Sequence, residues 1–185
     1  NNKMKIANRM DRLSESITIA ITTLSRELKE SGKDVLSFSA GEPDFGTPQV
    51  IKDAAIRALE NNDTKYTAVE GTPACRTAVA EKLKRDNNLD YDPSEIIISV
   101  GAKHSLFNIF QAGIEEGDEV IIPAPYWVTY PELVKYSGGT VVEILTDDTS
   151  SFKITPEQLK NAITPKSKML VLTTPSNPTD RKSVV

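Results

Sequence analysis

The 185 residues carry 22 Lys and Arg against 26 Asp and Glu, a formal net charge of -4, with 38% hydrophobic and 26% charged residues. That length and balance suffice for one sizeable core, and basic residues scattered along an acidic chain supply no positive field for nucleic acid. The single Cys75 excludes an internal disulfide, no apolar run approaches the roughly 18 residues of a membrane span, and the opening Asn1-Asn2-Lys3-Met4-Lys5 lacks an apolar signal core, so a cytoplasmic location is expected.

In chain order, Ile17, Ile21, Leu24 and Leu28 fall four, three and four apart between Ser16 and Glu30, the stripe of an amphipathic helix ending near Gly32. A short strand is expected over Val35 to Ser39. Three later helices share one start signal, a threonine able to cap followed by a proline suited to the first turn: Thr47-Pro48, Thr72-Pro73 and Thr155-Pro156. Between them lie compact runs rich in Ile and Val, bounded by turn residues, at Glu95 to Val100, Glu119 to Ile122, Thr140 to Leu145 and Lys168 to Thr173. Helical patterns intervene between these runs, so the order from residue 95 onward reads β-α-β-α-β-α-β. This is the pattern of an α/β fold with a mostly parallel sheet and helices on its faces. The segment before about residue 46 differs in character, and we expect residues 1–46 to form an arm or part of a second lobe and residues 47–185 the main α/β domain.

Candidate chemistry gathers where strands end. In Val100-Gly101-Ala102-Lys103-His104 a strand gives way to a helix, and free amides at a helix N-terminus beside Lys103 suit an anion; a plain strand-to-helix turn is the competing reading. Ala124-Pro125-Tyr126-Trp127 follows the next strand, so Trp127 belongs near the same carboxyl edge, either as a core residue or as a face for a planar aromatic ligand. Asn177, after the last strand, offers an amide to that edge or is simply a turn asparagine. Gly41 permits close backbone approach to a ligand or serves a turn. Tyr66 presents a phenol that means little alone. His104 is the sole histidine, so neither a His-rich metal site nor a Ser/His/Asp triad is assembled in any ordinary way, and His104 reads as helical and structural.

Taken together, Ser39-Ala40-Gly41-Glu42-Pro43-Asp44-Phe45, Thr64-Lys65-Tyr66, Val100-Gly101-Ala102-Lys103, Pro125-Tyr126-Trp127 and Ser176-Asn177-Pro178-Thr179 resemble, in order and spacing, the N-terminal half of class I aminotransferases of pyridoxal-phosphate fold type I. The bacterial aspartate-specific branch is nearest in pattern, and the likeness runs over roughly residues 8 to 179.

The resemblance implies a three-layer α/β/α cofactor domain, incomplete here, preceded by an arm and part of a small domain. It implies that the amides of Gly101, Ala102 and Lys103 hold the phosphate of pyridoxal 5'-phosphate, that the Trp127 ring stacks on the pyridine, and that Asn177 meets the cofactor's phenolic oxygen and the substrate carboxylate. Gly41 is implied to line the substrate carboxylate site, with Trp127 and Asn177. Tyr66 is implied to reach the phosphate in the other subunit of a homodimer. Cis bonds before Pro125 and Pro178 are also implied, and Asn177-Pro178 is predicted to be cis.

Substrates on this likeness are an amino acid, aspartate foremost, and a 2-oxo acid such as 2-oxoglutarate. Two departures stand out. Asp180 occupies a position where the family carries glycine, and no residue matches the Schiff-base lysine, so no catalytic residue is assigned in these 185 residues. They are therefore expected to be inactive alone, with a companion C-terminal chain or continuation carrying the lysine. A non-catalytic binding or assembly module derived from the same fold is the alternative, whereas a nucleotide-binding domain lacks its G-x-G-x-x-G or P-loop signature.

Overall fold

The structure, a computed structural model, describes residues 5–38, 41 and 43–180. These form two compact units: one contains the segment ending at Ser14 and the chain from Val100 onward, the other is Glu15–Ser99.

The unit beginning at Val100 alternates helix and strand: α4 (Ala102–Gly113), β1 (Glu119–Ala124), α5 (Thr129–Ser137), β2 (Thr140–Leu145), α6 (Pro156–Ala162) and β3 (Ser167–Leu170). The strands make one parallel sheet in the order β2-β1-β3. β1 is central, and its Val120, Ile121 and Ile122 are almost wholly buried, the continuous apolar run required of a strand covered on both faces. Against Val120 and Ile122 pack Phe110 of α4, Ile114 immediately after that helix, and Tyr130 and Val134 of α5, while α6 lies against β2. Burial of each large side chain in this core contributes about 2 kcal/mol.

The β1–β2 register runs without interruption from Glu119 opposite Thr140 to Ala124 opposite Leu145. Beside β3 it does not: Glu119 faces Ser167 but Val120 faces Met169, so Lys168 is skipped as a bulge and points to solvent. The segment before Ser14 belongs to the same unit. Arg12 pairs with Glu116 at 3.0 Å, and the Ser14 amide donates to Glu132 Oε2 at 2.8 Å.

The other unit holds α1 (Ile17–Glu30), α2 (Gln49–Glu60) and α3 (Pro73–Asn87). The Ser16 hydroxyl caps α1, accepting from the Ile19 amide at 3.4 Å. Ile17, Ile21, Leu24 and Leu28 line a groove with Val35 and Leu36. Arg76 of α3 is mostly buried and fastens two loops, donating to Pro93 O at 3.1 Å and lying 3.6 Å from Glu70.

Two of the three threonine–proline signals act as expected. Thr72 caps α3, and Thr155 forms a reciprocal capping box with Gln158. At Thr47-Pro48 the helix begins one residue later: Pro48 occupies the cap position and no side chain caps it.

Two expected strands are corrected. Val35 to Phe38 form no strand, and Ser39, the end of that expected run, lies outside the described residues, as do Ala40, Glu42 and the tail Arg181 to Val185. Glu95 to Val100 is not a strand either: Pro93–Glu95 is a 3-10 turn, and the extended residues after it have one ladder-like bond, Ile98 N–H to Glu70 O at 2.9 Å. Both runs have strand chemistry, but no strand lies beside them among the described residues. β3 is shorter than expected, although the Val171 amide still donates to Ile121 O at 3.0 Å.

Among the described residues no helix is long and apolar enough to cross a membrane, and no group of three or more His, Cys, Asp or Glu is placed to hold a metal ion.

Candidate functional site

The carboxyl ends of the parallel strands are where an open α/β sheet gathers ligand-binding groups. Here the loop after β1 carries Trp127, and α4 opens nearby. Gly101 occupies the cap position of α4 with φ +79, a left-handed conformation in which a side chain would be strained. Its carbonyl accepts the first intrahelical bonds, from His104 N at 3.1 Å and Ser105 N at 3.3 Å, so the amides of Ala102 and Lys103 precede the helical ladder and Gly101 has no side chain to cap them. His104 is helical, and its Nδ1 accepts from the Val100 amide at 3.2 Å, which gives the sole histidine the structural part expected of it.

Lys103 Nζ lies 5.2 Å from the Trp127 ring centroid. The half-buried indole meets the Tyr130 ring edge-on at 5.6 Å and 90°, and the Tyr130 hydroxyl shares a 2.7 Å hydrogen bond with Thr173 Oγ1. Tyr126 donates its phenolic hydrogen to Glu143 of β2. Burial, then the Glu143 carboxylate, push the Tyr126 phenol up to about 12. The Ala124 carbonyl is held by the amide and the hydroxyl of Thr146, at 3.1 and 2.5 Å.

Asn177 is exposed and lines the same cavity as Tyr126, Tyr130 and Thr173. Its bond to Pro178 is cis and so is Ala124-Pro125, both as the resemblance implied; Thr174-Pro175, which the resemblance did not include, is cis too. Asp180 stands at φ +54 with its amide donating to Ser176 O at 2.8 Å, so the position lies in the region that glycine enters most easily.

Gly101, Ala102, Lys103, Trp127 and Asn177 therefore belong to one compact unit, with Lys103 and Trp127 in direct interaction. Gly41 and Tyr66 belong to the other unit, where both are exposed, the Tyr66 ring fully so. Sequence reasoning missed Glu143, Tyr130 and Thr173. Tyr130 alone left a signal, an aromatic three residues after Trp127 at the start of a helical pattern.

Residues 33–180 match the family model described as aminotransferase class I and II. The chain is 53% identical over 176 residues to the aspartate aminotransferase of Geobacillus stearothermophilus and 54% identical over 177 residues to that of Bacillus sp. strain YM-2, covering 95% and 96% of this chain and 45% of each relative. Among solved structures, the aspartate aminotransferase of Thermus thermophilus with maleate superposes with a TM-score of 0.91 at 45% identity, over 95% of this chain and 46% of that one. This chain thus spans a little under half the length of the relatives it matches. The family match spans residues 33–180 and the relatives are more than half identical over almost the whole chain, so the chain belongs to the aminotransferase class I and II family.

Proposed function

We propose that these residues form one wall of the cofactor site of an aminotransferase that moves an amino group between an amino acid, aspartate foremost, and a 2-oxo acid such as 2-oxoglutarate. Pyridoxal 5'-phosphate is the cofactor of this family, and when bound it supplies the electron sink that makes such a transfer feasible. The donor set here fits it. Two helix-start amides, an uncapped glycine turn and the Lys103 ammonium suit a phosphate, and an indole beside them suits a planar ring.

In this reading the amides of Gly101, Ala102 and Lys103 bind the phosphate, and Trp127 orients the ring by covering one face. Asn177 donates to the phenolic oxygen and to the substrate carboxylate, which Gly41 approaches with its backbone. Tyr66, fully exposed in its own unit, reaches the phosphate held by a second subunit, so the working enzyme is a homodimer. Residues 1–46 serve as arm and part of a small domain and residues 47–185 as the first part of the large domain. That division is one of role, not of compactness. No proton-transferring or covalent role falls on any of the 185 residues, so turnover requires a lysine supplied by a continuation or a companion chain. The proposed setting is the cytoplasm.

The observation that carries this reading is the 5.2 Å approach of Lys103 Nζ to the Trp127 ring beside the uncapped start of α4. The experiment is a titration of the full-length protein with pyridoxal 5'-phosphate, following Trp127 emission against a Trp127→Phe control. Saturable quenching that depends on Trp127 supports the site; its absence at millimolar cofactor rejects it.

A further inference from the structure

The turn that carries Trp127 joins the end of β1 at Ala124 to the start of α5 at Thr129. Downstream it is well fixed. The Trp127 carbonyl accepts from the Tyr130 amide at 3.1 Å, and the Tyr130 ring meets the indole edge-on while its hydroxyl bonds Thr173 Oγ1. Upstream, Pro125 has no amide hydrogen to donate, and Thr146 holds only Ala124, the last residue of the strand. Past that point the restraint is a side chain. The Tyr126 phenol reaches across to Glu143, a carboxylate on β2 that stands opposite Ile122 in the β1–β2 register. The Tyr126 and Trp127 rings both pack on the same core cluster, so the ring of Tyr126 is seated apart from what its hydroxyl does.

We propose that Tyr126 is a positioning residue for the Trp127 platform, acting through its hydrogen bond to Glu143, so that the outer strand β2 fixes the turn that presents the indole. The inference rests on the cofactor reading above for the purpose of the platform, but not for the tie itself. A phenol-to-carboxylate bond is charge-assisted, stronger and more directional than one between neutral groups. It holds the residue immediately before Trp127 while Tyr130 holds the residues after it. The indole is thus set before any ligand arrives, and a ring stacking on it loses less freedom in ordering the site.

The test uses the full-length protein in four forms besides wild type: Tyr126→Phe, Glu143→Ala, Glu143→Gln and the Tyr126→Phe/Glu143→Ala pair. Emission from Trp127 is isolated by subtracting the Trp127→Phe signal. In cofactor-free protein, Tyr126→Phe and Glu143→Ala are each expected to raise acrylamide quenching of Trp127 about twofold and to lower its anisotropy, as loss of one net hydrogen bond allows. With pyridoxal 5'-phosphate as the probe, both raise the dissociation constant about fivefold, the pair is no worse than either single change, and Glu143→Gln, which keeps an acceptor, recovers most of the loss. A purely structural role would instead lower the thermal midpoint without Gln rescue.

The proposal is overturned if Tyr126→Phe leaves the quenching and anisotropy of Trp127 at wild-type values, or if Glu143→Gln is as impaired as Glu143→Ala. Failure of wild type to bind pyridoxal 5'-phosphate rejects the cofactor reading instead, and the cofactor-free quenching comparison still decides the tie.

Discussion

The ammonium of Lys103 lies 5.2 Å from the centroid of the Trp127 ring, joining the first turn of α4 to the loop after β1 in a cation–π contact. The two residues are 24 positions apart in the sequence, and both were singled out for ligand chemistry on separate grounds. Their meeting concentrates positive charge and an aromatic face in one place, the pair on which the proposed cofactor site relies.

Replacing Lys103 by alanine tests that concentration of charge. We expect the dissociation constant for pyridoxal 5'-phosphate to rise about tenfold, the equivalent of ~1.4 kcal/mol, and its salt dependence to flatten. Fluorescence titrations of the full-length protein at two ionic strengths measure both. An affinity unchanged at low salt would remove Lys103 from the site.

Gly71 sets a different constraint, in the unit built on Glu15–Ser99. Its φ is +103, and a Cβ there would stand 2.6 Å from Ile98 Cγ1 and 2.8 Å from Ile98 Cβ. A left-handed backbone and a clash with the stem of a β-branched side chain act together, so Gly71→Ala is expected to destabilise the local structure by about 3 kcal/mol. Hydrogen exchange at the Ile98 amide, which donates to Glu70 O, reports the loss directly.

The Tyr126 phenol supplies an alkaline signature. Burial first, and the Glu143 carboxylate second, raise it from 10.0 to about 12. The protonated phenol is the form the folded state prefers, so this stabilisation is complete below pH 10 and is lost as pH climbs through about 12. Ultraviolet difference titration should show one late-ionising tyrosine that disappears in Tyr126→Phe. A late step that survives that substitution would assign it to another residue.

At the acid end the informative group is Glu132. Burial pushes its carboxyl up, but the Ser14 amide and the Lys135 ammonium outweigh it and hold the group below its ordinary 4.5. A carboxyl lowered on folding contributes stability above 4.5 that is lost as pH falls through its lower folded value, so the contact with Ser14 should loosen only in distinctly acidic solution. Glu132→Ala should loosen it at neutral pH, at a cost of about 1 kcal/mol for this partly exposed site. Lower protection of the Ser14 amide relative to its free exchange rate is expected in the variant, with wild type losing that protection only in acid.

Much of this arrangement is legible in the residues themselves because its causes are local. Thr72 and Thr155 cap the helices that follow them, and the Ile- and Val-rich runs at Glu119 and Thr140 become β1 and β2. Legibility ends where a neighbour decides. Ile96 to Val100 has strand composition, yet a ladder needs a second strand that composition does not specify. The Tyr126–Glu143 bond was hidden for a related reason: 17 residues separate the pair, and only the register of β1 with β2 brings them together. Asp180 was legible by its departure from glycine, and its φ of +54 shows what glycine would have made easy.

The skipped Lys168 has a reach beyond its own strand. By absorbing one residue beside β1 it sets the parity of all that follows, so that Met169 and Val171 turn toward the core and Thr173, two further on, meets the Tyr130 hydroxyl. Were the pairing unbroken instead, with Lys168 opposite Val120, odd would become even: Met169 and Val171 would face outward, and the support behind Trp127 would lose its hydroxyl partner. The orientation of the proposed cofactor platform is thus counted out, residue by residue, from an exposed lysine that touches none of it.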